Sequence, residues 1–244
     1  MNTIPFPRVS SIVVAVCTCG LSGASAQSTN PSVPFGKLTA SPTMVQAGTK
    51  PDLTWNITYP LSVKDVVTVS TPPGITPKQD LICDVRMIGA GVTTKNARGT
   101  TIYVQTLGQI LYNGSSSWST IFNGFNTDRI VQQQGIVISF TANANQPINF
   151  GGYYITNNVS SVTYTSRIGD NVRFQFNGDT PPANLPGYNS PSLAGFVKPY
   201  LDASGRIKIG PMDVIVFMEL TTANKATLGY DLQDLVMLVT FRNP

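Results

Sequence analysis

Apolar and polar residues alternate along most of this chain with a period of two, the signature of half-buried β-strands. In Leu53-Thr54-Trp55-Asn56-Ile57-Thr58-Tyr59 every second residue is apolar, and Pro60 stops the pattern. From Gln79 to Gly91 the alternation returns, with Leu81, Cys83, Val85 and Met87 on one face and Ile82, Asp84, Arg86 and Ile88 on the other. The same reasoning predicts strands at Val66–Ser70, Thr101–Thr106, Gln109–Tyr112, Trp118–Phe122, Ile136–Ala142, Gly152–Thr156, Val162–Ser166 and Val172–Phe176. Pro211–Leu220 and Leu235–Phe241 differ, because both faces are largely apolar. That composition marks strands covered on two sides.

Turn chemistry separates these runs at the short spacing of all-β domains. Asn113-Gly114, Asn123-Gly124 and Asn177-Gly178 are candidate hairpin turns, since Asn and Gly tolerate the positive φ that primed turns require. Thr71-Pro72-Pro73-Gly74 and the proline-rich Asn177–Ser192 read as surface loops. One short helix is predicted near residues 191–201: Ser190 caps it, Pro191 suits its first position, and Leu193, Phe196, Val197 and Tyr200 fall at helical spacing. The fold class expected is all-β, a single β-sandwich of Ig-like or jelly-roll-like type spanning 27–244.

The first 26 residues follow a different rule. Arg8 precedes an apolar run from Val9 to about Leu21, and the small residues Ala24-Ser25-Ala26 follow. This is the order of a secretory signal peptide, and the run falls short of the ~20 residues of a membrane-spanning helix. The expectation is a secreted or cell-surface protein after cleavage near Ala26, with no transmembrane span in the mature chain. Cys17 and Cys19 would leave with the signal, so Cys83 alone would remain and no internal disulfide could form. A chain of this length can bury a core without one.

Composition removes several chemistries. The 244 residues contain no histidine, which excludes Ser-His-Asp and Cys-His catalysis and imidazole metal sites. Cys83 lies mid-strand on an apolar face and reads as a small core residue. The net charge of +4 comes from scattered cations without a basic run, so nucleic-acid binding is not expected. No phosphate-binding loop, dinucleotide fingerprint or nucleophile elbow is present after the signal segment. Calcium is the one metal whose all-oxygen chemistry this chain could meet. Neither Asp202-Ala203-Ser204-Gly205 nor Asp231–Asp234 has the ligand density of a calcium loop, however. No cofactor, metal or catalytic residue is therefore assigned.

Glu219, the single glutamate, shares a strand face with Asp213. Six residues of strand put them about 20 Å apart, too far for a glycosidase pair, which needs roughly 5–9.5 Å. They read as acids at the two ends of a buried strand, with Asp231 and Asp234 as caps of the turn before the last strand; a cross-strand pairing of one of these two with another carboxylate stays open, because register is invisible in the sequence. For ligand binding, the candidate aromatic platform is Trp118, Phe122, Tyr153 and Tyr154; adjacent Tyr153 and Tyr154 must point to opposite faces of a strand.

The segments QDLICDVRMIGAGV, ANQPINFGGYY, NGDTPPANLPGY, SLAGFVKPYLDASGRIKIGPMDVIVFMELT and GYDLQDLVMLVTFR together resemble a family of uncharacterised secreted, β-rich proteins that verrucomicrobial-type bacteria carry as several paralogues. The likeness spans Lys37 to Arg242 and is densest in the C-terminal third. It implies a bacterial exported protein and transfers no functional residue. The function expected is non-enzymatic, structural or adhesive at the cell surface, with surface polysaccharide or other surface proteins as partners. A carbohydrate-binding module using exposed aromatics is the alternative, and a carboxylate-based glycan hydrolase the third reading.

Overall fold

The computed structural model of the chain describes residues 35–41, 48, 50, 52–59, 61–70, 74–182, 195–227 and 229–244. The expected signal peptide, the Thr71-Pro72-Pro73 loop and residues 183–194 lie outside them. Among the described residues, no helix is long and apolar enough to cross a membrane.

Two antiparallel sheets form a sandwich, as the alternation predicts. The first has the order β10-β5-β16-β15-β14: β10 is Ile136–Ala142, β5 Leu81–Gly89, β16 Leu235–Arg242, β15 Asp213–Met218 and β14 Val172–Gln175. The second has the order β12-β11-β8-β9. Here β12 is Val159–Ser160, β11 Asn149–Thr156, β8 Gln105–Leu111 and β9 Ser119–Gly124. The two-residue β13, Tyr164–Thr165, also pairs with β11.

The main core lies between the sheets. Val85, Met87, Val214, Val216, Met237 and Val239 from the first meet Ile110, Phe122 and Phe150 from the second. Phe150 and Phe174 make an edge-on ring contact, with centroids 6.0 Å apart. Gly152 makes this close packing possible: a Cβ there would lie 2.9 Å from the Leu107 carbonyl and just over 3 Å from the Leu235 and Leu220 methyls.

A second core covers the outer face of the first sheet. Ile88, Ile215, Phe217, Val236 and Leu238 point away from the sandwich interior and meet Val197, Ile207, Tyr230 and Leu232. This explains why Pro211–Leu220 and Leu235–Phe241 are apolar on both faces. The predicted helix supplies part of the cover, but as a 3-10 helix over Gly195–Tyr200 with Pro199 inside it. A proline at that position donates no backbone N–H, which favours the shorter, tighter turn.

Three two-stranded ribbons complete the description: β1 (Phe35–Ser41) with β2 (Asp52–Thr58), β3 (Val67–Ser70) with β4 (Gly74–Pro77), and β6 (Thr93–Lys95) with β7 (Thr101–Tyr103). One helical turn, α1 at Val63–Val66, precedes β3, held by a capping box between Ser62 and Asp65. A second, α2 at Arg129–Gln132, follows β9. The β3–β4 ribbon joins the second sheet where Ile75 and Ile148 exchange two backbone hydrogen bonds. Gly74, at φ 131°, permits it; a Cβ would fall 2.4 Å from the Ile148 carbonyl oxygen.

Several expectations need correction. Asn123-Gly124 lies within β9 rather than in a turn. The run Thr101–Thr106 is two strands broken at Val104, and Val162–Ser166 contains only the two-residue β13. The tight turn Asn157-Asn158, both residues at positive φ, joins β11 to β12 without a glycine. Asn113-Gly114 adopts positive φ at both residues as predicted.

Candidate functional site

Strands β15 and β16 are neighbours, and the segment joining them carries the densest acidic chemistry described. Glu219 follows β15 directly, while Asp231 and Asp234 precede β16. One carboxylate oxygen from each of the three lies within 4.8 Å of the other two. The sequence places Asp213 and Glu219 at opposite ends of one strand correctly, but pairing across strands is set by register, which brings Glu219 beside Asp234. Glu219 is also not reached by solvent, as a strand-end acid would be: its exposure is 0% and that of Asp234 is 5%.

Backbone amides hold this charge. One Glu219 oxygen accepts from the amides of Thr221 at 2.8 Å and Thr222 at 3.1 Å, and from the Thr221 hydroxyl. The other accepts from the amides of Asp231 at 2.9 Å and Leu232 at 3.4 Å. The buried Leu232 sits at φ 56°, the left-handed region, and this turn brings both amides onto the carboxylate. Asp234 accepts from the amides of Leu220 at 2.7 Å and Thr221 at 3.1 Å. Asp231 accepts from the Gln233 amide at 3.3 Å.

Burial shifts the two aspartates unequally. Burial, reinforced by the charge of Glu219, holds Asp234 protonated well above the usual carboxylate range. It shares a side-chain hydrogen bond with Glu219, with the neutral acid as donor. Burial also pushes Asp231 up to about 6, the Gln233 amide opposing and Glu219 adding to the shift. The Glu219 side chain is thus wrapped in N–H donors, with two aspartates beside it whose carboxyls are both raised, Asp234 the further buried.

Such a cage is built for an anion. A cation site needs its carboxylate lone pairs free to coordinate, whereas both oxygens of Glu219 and one of Asp234 are already engaged by N–H groups whose positive ends face inward. What the cluster does is join residues 219–222 to residues 229–234. Nearby, Asp170 pairs with Lys225 and with Arg173, and its carbonyl accepts from the Tyr230 hydroxyl at 2.9 Å. Asn171 donates to the carbonyls of Glu219 and Thr222.

The second acidic feature is a polar row on the outer face of the first sheet. Asp84 on β5 accepts from Ser139 on β10 and from Arg242 on β16 at 3.0 Å. Burial raises the Asp84 carboxyl, but Ser139 and Arg242 outweigh it and hold the group below its ordinary value. Arg86 donates to Thr240, which donates to Asp213 at 2.7 Å. These are cross-strand ties, and each acid has its partner.

The four aromatic candidates divide. Phe122 is buried between the sheets and Tyr154 packs against the same core, so neither belongs to a surface platform. Since Gly152 faces the core, Gly151 and Tyr153 face outward on the second sheet. The Trp118 ring lies over Gly151, where a Cβ would stand 3.2 Å from it. Tyr153 follows about 7 Å further along β11, opposite Leu107 on β8. The outward face also carries Gln109 opposite Gly151, and Gln105, whose amide donates to Asn123 at 2.8 Å. The sequence identifies half of this face; Gln105, Gln109 and Asn123 carry no signal of their own before register is known.

Comparison of the chain with protein-family models, with curated proteins and with solved structures finds no match.

Proposed function

We propose that this chain is an exported, non-enzymatic β-sandwich protein that acts structurally or adhesively at the cell surface. The observation that carries the reading is the state of the Glu219–Asp231–Asp234 cluster. It is the one group of three or more metal-ligating acidic side chains among the described residues, and its two central members are closed to solvent and held by main-chain amides. A glycan chain cannot reach a carboxylate at 0% exposure, and a chain without histidine lacks the commonest general acid–base group. The apolar run and small residues before Gln27, together with the likeness to exported bacterial paralogues, support the location.

A carbohydrate-binding role is the second reading, favoured by one arrangement: Trp118 and Tyr153 on a sheet face shared with the amide side chains of Gln105, Gln109 and Asn123. Aromatic faces beside amide donors suit sugar rings, which present both C–H faces and hydroxyls. The test is retention of the purified chain on a panel of immobilised polysaccharides, with and without calcium. The structural reading predicts no saturable binding that depends on these residues. Saturable binding to one glycan class, abolished by Trp118→Ala or Tyr153→Ala, would replace it with the second reading.

A further inference from the structure

The first two strands form an amphipathic ribbon, and among the described residues none covers its apolar side. Register pairs Gly36 with Ile57, Leu38 with Trp55 and Ala40 with Leu53. Directly opposed residues share a face, so Leu38, Ala40, Leu53, Trp55 and Ile57 form one uninterrupted apolar surface, flattened by Gly36. Lys37, Thr39, Asp52, Thr54, Asn56 and Thr58 fall on the other face. Residues 36–40 and 52–59 are all exposed, with Trp55 at 67% and Tyr59 at 62%. Tyr59, directly after β2, and Leu61 are exposed as well.

An isolated two-stranded ribbon is at best marginally stable in water and needs a third strand or a packing surface. A contiguous apolar patch of this kind marks an interaction site rather than an ordinary surface. We propose that the apolar face of β1–β2 is a homodimer interface, closed by the same face of a second copy. Two features favour a second copy. The face carries no charge, so stacking it on itself buries no ion, while both ribbon charges, Lys37 and Asp52, stay on the wet side. The area also suffices: Leu38, Leu53, Trp55 and Ile57, each about half to two-thirds exposed, offer with Ala40 on the order of 500 Å² of apolar surface per copy, about 1,000 Å² for a pair, which reaches the lower bound of a specific interface. A two-fold axis through the ribbon lets each Trp55 pack beside the other copy's Leu38 and Leu53, a self-complementary arrangement.

The inference rests on the structural reading above and gives it a partner, but its readout is mass rather than glycan retention, so each can fail without the other. The experiment is sedimentation velocity of the purified chain over a dilution series, with Trp55→Ser/Ile57→Ser and Lys37→Ser beside it. The two large sheets should still unfold cooperatively in both variants, since these side chains belong to neither core. The expected result is a dimer for the parent and for Lys37→Ser, and association weakened about tenfold or more in Trp55→Ser/Ile57→Ser, as loss of a central tryptophan does. In Ala40→Cys, mild oxidation should link two copies through the ribbon face. A monomer at every concentration would overturn the proposal. So would open-ended oligomers without the Ala40→Cys cross-link, because they would mean that the ribbon docks elsewhere, such as the exposed Val159, Val162 and Ile168.

Discussion

Replacing Asp231 by asparagine should make the protein more stable at neutral pH and leave it nearly unchanged in acid. The side chain is held by burial at a folded-state value of about 6, against 3.8 for the free group. A raised carboxylate keeps its proton in the fold while the unfolded chain has lost it, so the folded state binds more protons between these two values. Stability from this group is therefore fully present below pH 3.8, falls as pH rises through about 6, and stays low above. Two pH units correspond to up to about 3 kcal/mol, or roughly 6–12 °C of melting temperature for a chain of this size. Asparagine removes that cost while its carbonyl still accepts from the Gln233 amide. The assay is thermal unfolding of parent and Asp231→Asn across pH 4–8. Comparing the two cancels Asp84 and Asp170, whose lowered values push stability the other way as pH falls. A difference that does not grow with pH, or an Asp231→Asn protein less stable at pH 8 than the parent, would refute the reasoning.

Three further outcomes follow from the same geometry. Glu219→Ala leaves the amides of Thr221, Thr222, Asp231 and Leu232 without their shared acceptor, though Thr221 retains Asp234; it should cost about 3–5 kcal/mol in denaturant unfolding. Gln233 is 2% exposed and neither of its amide side-chain atoms has a hydrogen-bond partner, so Gln233→Met, which keeps the volume, should stabilise by about 1–2 kcal/mol. Cys83 is fully buried between the sheets, and burial foremost pushes its thiol far above the ordinary range. It should resist a thiol reagent until the chain unfolds, and fast labelling of the native protein would contradict its place in the core.

The sandwich was legible because period-two alternation is a local property. Each of Leu81, Cys83, Val85 and Met87 declares its face without knowledge of its neighbours. The doubly apolar strands around Val214 and Val236 announced a cover on both sides, and the 3-10 helix supplies part of it. Register was not legible, and register makes the sites. Glu219 meets Asp234 only because Met218 pairs with Leu235, a relation with no trace in spacing along the chain. Trp118, just before β9, and Phe122, within it, illustrate the same limit at short range: they are aromatics four residues apart, yet Phe122 is core and Trp118 covers Gly151. The Asn157-Asn158 turn was missed because the expected signal is a glycine, while two asparagines tolerate the same backbone.

The chemical resemblance of the cluster to an acid pair makes one measurement decisive. Asp234, its carboxyl raised by burial, lies beside Glu219, and glycan hydrolysis depends on two such neighbouring acids; burial and amide ligation are what argue against that use. Release of reducing ends should be followed when the purified chain and its Asp234→Asn variant are incubated with the polysaccharide panel. The account predicts no release by either protein at any pH from 4 to 8. Release by the parent that disappears in Asp234→Asn, with folding intact, would show that the cluster opens to substrate and would contradict the non-enzymatic reading.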